Sequence, residues 1–155
     1  MRAPKLIHYM KRNAAALSET VLQKIRNSER CSELLGKVSE EEQKRSTMQT
    51  YSDLTDWLLS DASSSIEERY CALGTRRAEQ GVPFKDLFWA VCIAHEHLWE
   101  YMQQECLLER PVEFWGGVML LRSMTQFFDR ALYFALIGYQ RAGKSESASV
   151  AMAQP

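Results

Sequence analysis

At 155 residues the chain has the length of one domain, enough to close a single hydrophobic core. Apolar residues make up 46 % of it and the formal net charge is −1, so nothing favours a polyanion as partner and nucleic acid is set aside. No apolar run is long enough to span a bilayer, and His8 interrupts the short stretch Leu6 to Met10 where a signal segment would need continuity. These features point to a cytoplasmic protein with no membrane association.

The four cysteines, Cys31, Cys71, Cys92 and Cys106, are widely spaced and form no C-x-x-C pair, which suits reduced, mostly buried thiols. Basic residues crowd the N-terminal part (Arg2, Lys5, Lys11, Arg12, Lys24, Arg26 and Arg30) and read as a solvated helix face. No window alternates with the period of a strand, so the fold class is all-α: a single-domain helical bundle of about five main helices, with globin-like packing one arrangement open to it.

The first helix is expected from about Lys5 to Asn27, on a stripe of Leu6, Met10, Ala14, Leu17, Val21 and Ile25. A short helical piece from Ser32 ends at Gly36. Ser39 and Glu42 have capping-box spacing and open the next helix, whose buried stripe is Met48, Tyr51, Leu54 and Leu58 with Trp57 beside it. Ser63 to Ser65 break that helix and start another, with Ser64–Glu67 and Ser65–Glu68 both at capping-box spacing. This helix carries Ile66, Tyr70 and Leu73 on one stripe, and the next position on it is Arg77, which needs an acceptor or a route to solvent. Gly81 suits the left-handed residue that closes a helix, Val82 the accompanying apolar contact, and Pro83 the first turn of the following helix.

From Pro83 to about Leu108, the residues Phe84, Leu87, Phe88, Val91, His95, Leu98, Trp99 and Met102 share one broad face, with Asp86, Glu96, His97, Glu100 and Gln104 opposite. Trp89 and Ile93 interrupt the polar side and are the candidates for an interface, with another helix or a partner subunit. The last helix, from about Pro111 to Arg141, is apolar over more than half its circumference and reads as the most buried of the bundle. The domain is therefore placed at residues 1–142, and 143–155 read as a disordered tail.

No phosphate-binding loop, dinucleotide fingerprint, nucleophile elbow or H-E-x-x-H is present. His95 and His97 lie two residues apart on a helix and point in different directions, so they cannot share a metal. His95, in the middle of an apolar face, is a core histidine, a ligand contact or, as an alternative, the axial ligand of a haem. Arg77, His95, Trp99 and Asp129 are the candidates to line a pocket between helices, and Arg77 with Asp129 is the expected interhelical ion pair. Nothing pairs a nucleophile with a base, so the expectation is a protein that is not an enzyme.

Leu73-Gly74-Thr75-Arg76-Arg77-Ala78-Glu79-Gln80-Gly81-Val82-Pro83-Phe84, followed by Leu87, resembles the L-G-x-x-R-A-x-x-G-V/I-P-L/F-x-x-L segment of the RsbRD N-terminal domain family. Phe128-Asp129-Arg130-Ala131, with Tyr139 ten residues after Asp129, resembles the F-D-x-A…Y end of the same domain, and the resemblance runs from roughly Leu17 to Arg141. It implies a helical regulatory or sensory input module, of the kind that precedes a STAS domain, a histidine kinase or a transcription-factor output, as in RsbT co-antagonist proteins of the general stress response. It implies no catalytic residues. No output domain follows Arg141, so the chain is expected to act on a separate signalling protein or as a homo-oligomer.

Overall fold

The computed structural model describes residues 3–60, 63–105 and 111–153, and among these every regular element is helical. The order is α1 (Ala3–Arg12), α2 (Ala14–Arg26), a 3-10 turn (Glu29–Cys31), α3 (Ser32–Lys37), α4 (Glu40–Ser60), α5 (Ser63–Glu79), α6 (Phe84–Glu105) and α7 (Pro111–Ala153). Arg2, Cys106 and Arg110 lie outside the described residues, as do the side chains of Lys5, Ser64, Phe114 and Trp115.

The single first helix becomes two because Asn13 breaks it. Both its backbone N–H and its side-chain Nδ2 donate to Tyr9 O at 3.0 Å, a local alternative to continued helix that short amide side chains favour. The basic crowding nearby is spent inside the chain: Lys24 pairs with Glu100 at 2.8 Å, Arg26 with Glu40 at 3.0 Å, and the Arg30 guanidinium lies 4.3 Å from the Trp89 ring centroid. Lys24 also meets His97 Nδ1 at 3.0 Å, so His97 ties α6 to α2 instead of facing solvent.

One apolar cluster draws on all the long helices, with Leu6, Leu17, Leu54, Leu98, Met124 and Phe127 almost completely buried. The buried face of α6 is rotated by somewhat less than one residue step from the expected one. Ile93 turns inward to the core, whereas Phe88 and Trp99 are 43 % and 41 % exposed. Asp86 is the reason the polar side can be inside: its carboxylate accepts from the backbone N–H of Glu33 and Leu34, both at 3.1 Å, and so caps the N-terminus of α3 from another helix. Helix α7 is not the central element; one face packs inward through Met124, Phe127, Phe128 and Ala131, while Met119 and Tyr133 stay exposed. It also continues through Gly143 to Ala153, where an unstructured tail was expected. The stretch has no proline and several alanines, and extending an existing helix needs no new nucleus.

Helices α5 and α7 approach so closely that their contact is backbone on backbone. A Cβ at Gly74 would sit 1.9 Å from Ala135 O, and one at Gly138 would sit 1.9 Å from Cys71 O. Thr75 Oγ1 adds a hydrogen bond to Gly138 O at 3.1 Å. The corner after α5 closes as expected. Gly81, at φ +75°, donates its N–H to Ala78 O, and Val82 donates to Arg77 O, each at 3.0 Å, with Val82 fully buried. Pro83 stands just ahead of α6, where its carbonyl receives the Asp86 N–H, and Tyr139 of α7 donates its hydroxyl to Val82 O at 2.7 Å.

Candidate functional site

Helices α4 and α5 are consecutive in the chain, yet their backbones hardly meet. Polar side chains bridge the gap. On α4 the residues Ser46, Gln49, Thr50 and Asp53 recur at the spacing of one helix face, and on α5 Arg69, Leu73 and Arg76 do the same. The result is a cleft with ion pairs at both ends.

At one end stands Glu42. Its backbone N–H donates to the Ser39 hydroxyl oxygen at 3.2 Å, which is half of the expected capping box. Its carboxylate does not return to Ser39; it faces α5. Arg77 Nη1 donates to Glu42 Oε1 at 2.9 Å and to Gln80 Oε1 at 2.8 Å, while Nη2 donates to Ser46 Oγ at 2.9 Å. Arg76 Nε and Gln80 Nε2 also donate to Glu42. The Arg76 hydrogen bond foremost, then those of Arg77 and Gln80, hold the Glu42 carboxyl down to about 2. Arg77 is 2 % exposed, so its charge is sealed in and matched by this cluster.

At the other end Asp53, 3 % exposed, accepts at Oδ1 from Gln49 Nε2 (2.9 Å) and from Arg69 Nη1, whose side chain is 47 % exposed. Asp53 Oδ2 and the Tyr70 hydroxyl are both buried, and the phenol is set against the side chains of Asp53 and Thr50. Burial, reinforced by the Asp53 charge, pushes the Tyr70 phenol up, so it stays protonated. A groove of about 350 Å³ lies over this end, and a narrower cavity of about 50 Å³ lies inward beside Arg77, among Gln43, Thr47, Leu73 and Ala90.

The other sequence candidates are placed elsewhere. His95 is half-buried on α6 with its ring stacked on Phe128 at 4.5 Å and 15°. Burial lowers its pKa, against the opposing pull of Asp129 and Glu96, so the imidazole is neutral at pH 7. Asp129 is exposed on α7 and serves His95, not Arg77, whose carboxylate partner is Glu42. The interhelical ion pair exists, but between α4 and α5. Trp99 is exposed beyond this cleft, Trp89 is half-buried beneath Arg30, and Ile93 is in the core. The inner cavity holds a few water molecules at most and His95 is not on its lining, so it offers haem neither room nor a ligand. Among the described residues no group of three or more His, Cys, Asp or Glu is arranged to hold a metal, and no helix is long and apolar enough to cross a membrane.

The family model described as RsbT co-antagonist protein rsbRD N-terminal domain matches residues 15–149. The chain belongs to that family. Comparison with curated proteins and with solved structures gave no match. In this RsbRD N-terminal domain the signature residues Gly74, Arg77, Gly81, Val82 and Tyr139 are occupied in holding the fold. Gly74 admits α7, Arg77 binds α4, Gly81 and Val82 close the corner, and Tyr139 ties α7 to it. Glu42, Asp53 and Arg69 went unrecognised in the sequence. The spacing of polar residues along α4 was a legible signal, but Glu42 was accounted for as a cap and Asp53 was not singled out.

Proposed function

We propose that this RsbRD N-terminal domain is a non-catalytic regulatory module that works by non-covalent binding, of a small ligand or of a signalling partner, and relays binding through the joint between α4 and α5. One observation carries this reading. The α5–α7 pair is locked by backbone contact at Gly74 and Gly138, whereas α4 meets α5 through the side chains of Glu42, Asp53, Arg69, Arg76 and Arg77. A joint made of ion pairs can be re-paired by a bound group, while a backbone contact cannot be altered without separating the helices. Binding shifts such a joint only if the two arrangements hold the bound group unequally. The family description, an RsbT co-antagonist domain, agrees with regulation exerted on another protein, and a second copy of the chain is the other route.

Native mass spectrometry of the chain isolated from its own cells, with and without stress, tests the reading. The expected spectrum shows the 17.9 kDa chain carrying a second polypeptide, a second copy or a small molecule in fixed ratio. A bare chain in every preparation counts against it.

A further inference from the structure

Helix α6 has a side that the core leaves uncovered, and the residues on it are regularly spaced. Phe88, Cys92, His95 and Trp99 follow one another at four, three and four residues, so they fall within about 60° of one another around the helix. None of the four is buried, and Phe88 and Trp99, at the two ends of the row, are 43 % and 41 % exposed. The spacing is that of the seam by which one helix meets another, and it lies on a different side from Ala94 and Leu98, which enter the apolar cluster. The two ends of the row differ in shape and in charge. At the N-terminal end Arg30, Phe84, Lys85, Phe88 and Trp89 line an open groove of about 440 Å³. Phe84 and Phe88 meet edge to face with ring centroids 6.3 Å apart, and the Arg30 guanidinium covers Trp89, so the walls are held in place. Arg30 and Lys85 make this end positive, and the Lys85 side chain is 79 % exposed. At the other end Glu96 stands about one turn before Trp99; it is exposed and, among the described residues, meets no cation at ion-pair distance.

We propose that this face is the contact of a homodimer in which α6 of one copy runs antiparallel to α6 of the other. Trp99 of each copy enters the aromatic groove of its partner, and Glu96 comes to the Arg30 and Lys85 that ring that groove. The two-fold axis passes near Cys92, midway along the row. Complementarity selects a second copy, and this direction for it. A parallel pair would set Glu96 against Glu96 and Arg30 against Arg30, and would leave the groove without an occupant. The antiparallel pair matches acid with base and indole with groove, and does so twice, because an isologous contact repeats every pairing. The flanks agree as well. Glu96 and Trp89, the residue beneath Arg30, are seven positions apart and so lie on the same flank of the row. A two-fold axis across two antiparallel helices brings like flanks together. This contact shares no residue with the ion pairs between α4 and α5, so it stands or falls independently of binding at that joint.

Sedimentation equilibrium of the full chain over about 1 to 100 μM tests it. The parent is expected at twice its 17.9 kDa, with a dissociation constant in the micromolar range. Trp99→Ala should weaken association about thirtyfold or more, as loss of an aromatic anchor does, with unchanged helicity by circular dichroism because the side chain is half-exposed. Arg30→Glu and Glu96→Arg should each weaken the dimer about tenfold, and the two together should recover most of the parent's affinity, since the pair is restored with its signs exchanged. The proposal is overturned if the parent is monomeric throughout this range, if Trp99→Ala associates as the parent does, or if the two charge reversals add instead of compensating. A monomeric parent that retains a different polypeptide through Trp99 also overturns it, and assigns the face to another protein.

Discussion

Arg77 could have been a pocket residue open to an anion; its surroundings make it a buried cross-brace instead. Three acceptors, Glu42 and Ser46 on α4 and Gln80 just past the end of α5, take its donors, and removal of the guanidinium would strand a carboxylate held in place by it. Arg77→Ala is therefore expected to cost about 3–5 kcal/mol in urea unfolding, and Arg77→Lys to recover little, because an ammonium cannot span the same three acceptors. Glu42 makes this dependence visible in acid. Its folded carboxyl titrates at about 2 instead of the ordinary 4.5, so the stability it contributes is complete above about pH 4.5 and is lost as the pH falls towards 2. Glu42→Gln should flatten the stability–pH curve over that interval, and an unchanged acid limb would contradict the assignment. His95 shifts in the opposite sense to a paired histidine. Burial holds its folded pKa below the ordinary value while Asp129 pulls it upward, so Asp129→Asn should lower the midpoint further in an NMR titration of the imidazole. A midpoint that stays fixed would separate Asp129 from His95.

Between elements, the decisive contact is the crossing of α5 and α7. A methyl group at Gly74 would meet the carbonyl oxygen of Ala135 at 1.9 Å, and backbone atoms cannot swing aside as a side chain can. Gly74→Ala should destabilise by about 3 kcal/mol or more, since the helices must part to admit it. Gly143, also within α7, has nothing within 4 Å of such a methyl, and there the substitution should stabilise by roughly 0.5–1 kcal/mol through helix propensity alone. Thermal unfolding of the two variants gives opposite signs if the crossing is as close as described. The corner from Gly81 to Pro83 was legible in sequence because its chemistry is local: a left-handed glycine and a proline state their positions without reference to other helices. The face of α6 was not, because apolar residues occur on both its sides and the choice between them depends on what lies opposite. Asp86 turns inward only because the N-terminus of α3 needs an acceptor there, and Tyr101 is half-buried because its ring stacks on Tyr9 at 3.6 Å. Both partners are distant in sequence. The same holds for the site. Arg77 was legible as a cation in need of a partner, but the choice of Glu42 over Asp129 depends on how α4 leans across α5, which no periodicity records.

For the molecule as a whole, the question is which surface is free to meet another protein. Trp89 and Ile93, the two apolar residues on the side of α6 expected to be polar, do not supply it, since Ile93 is buried in the core and Trp89 is covered by Arg30. The apolar side chains left uncovered on α6 are Phe88 and Trp99. The two pairs therefore make opposite predictions. Ile93→Glu places a carboxylate in the apolar cluster and should abolish the cooperative unfolding transition, whatever the oligomeric state. Phe88→Glu combined with Trp99→Glu alters only half-exposed positions and should leave helicity and the unfolding midpoint close to those of the parent, as surface changes do. If assembly into a homodimer runs over this face, the same double variant sediments as a monomer at concentrations where the parent does not, because two apolar anchors have become four like charges across a two-fold contact. A double variant that remains folded and associates as the parent does would move the assembly surface off α6. The exposed Met119 and Tyr133 of α7 would be the next positions to change.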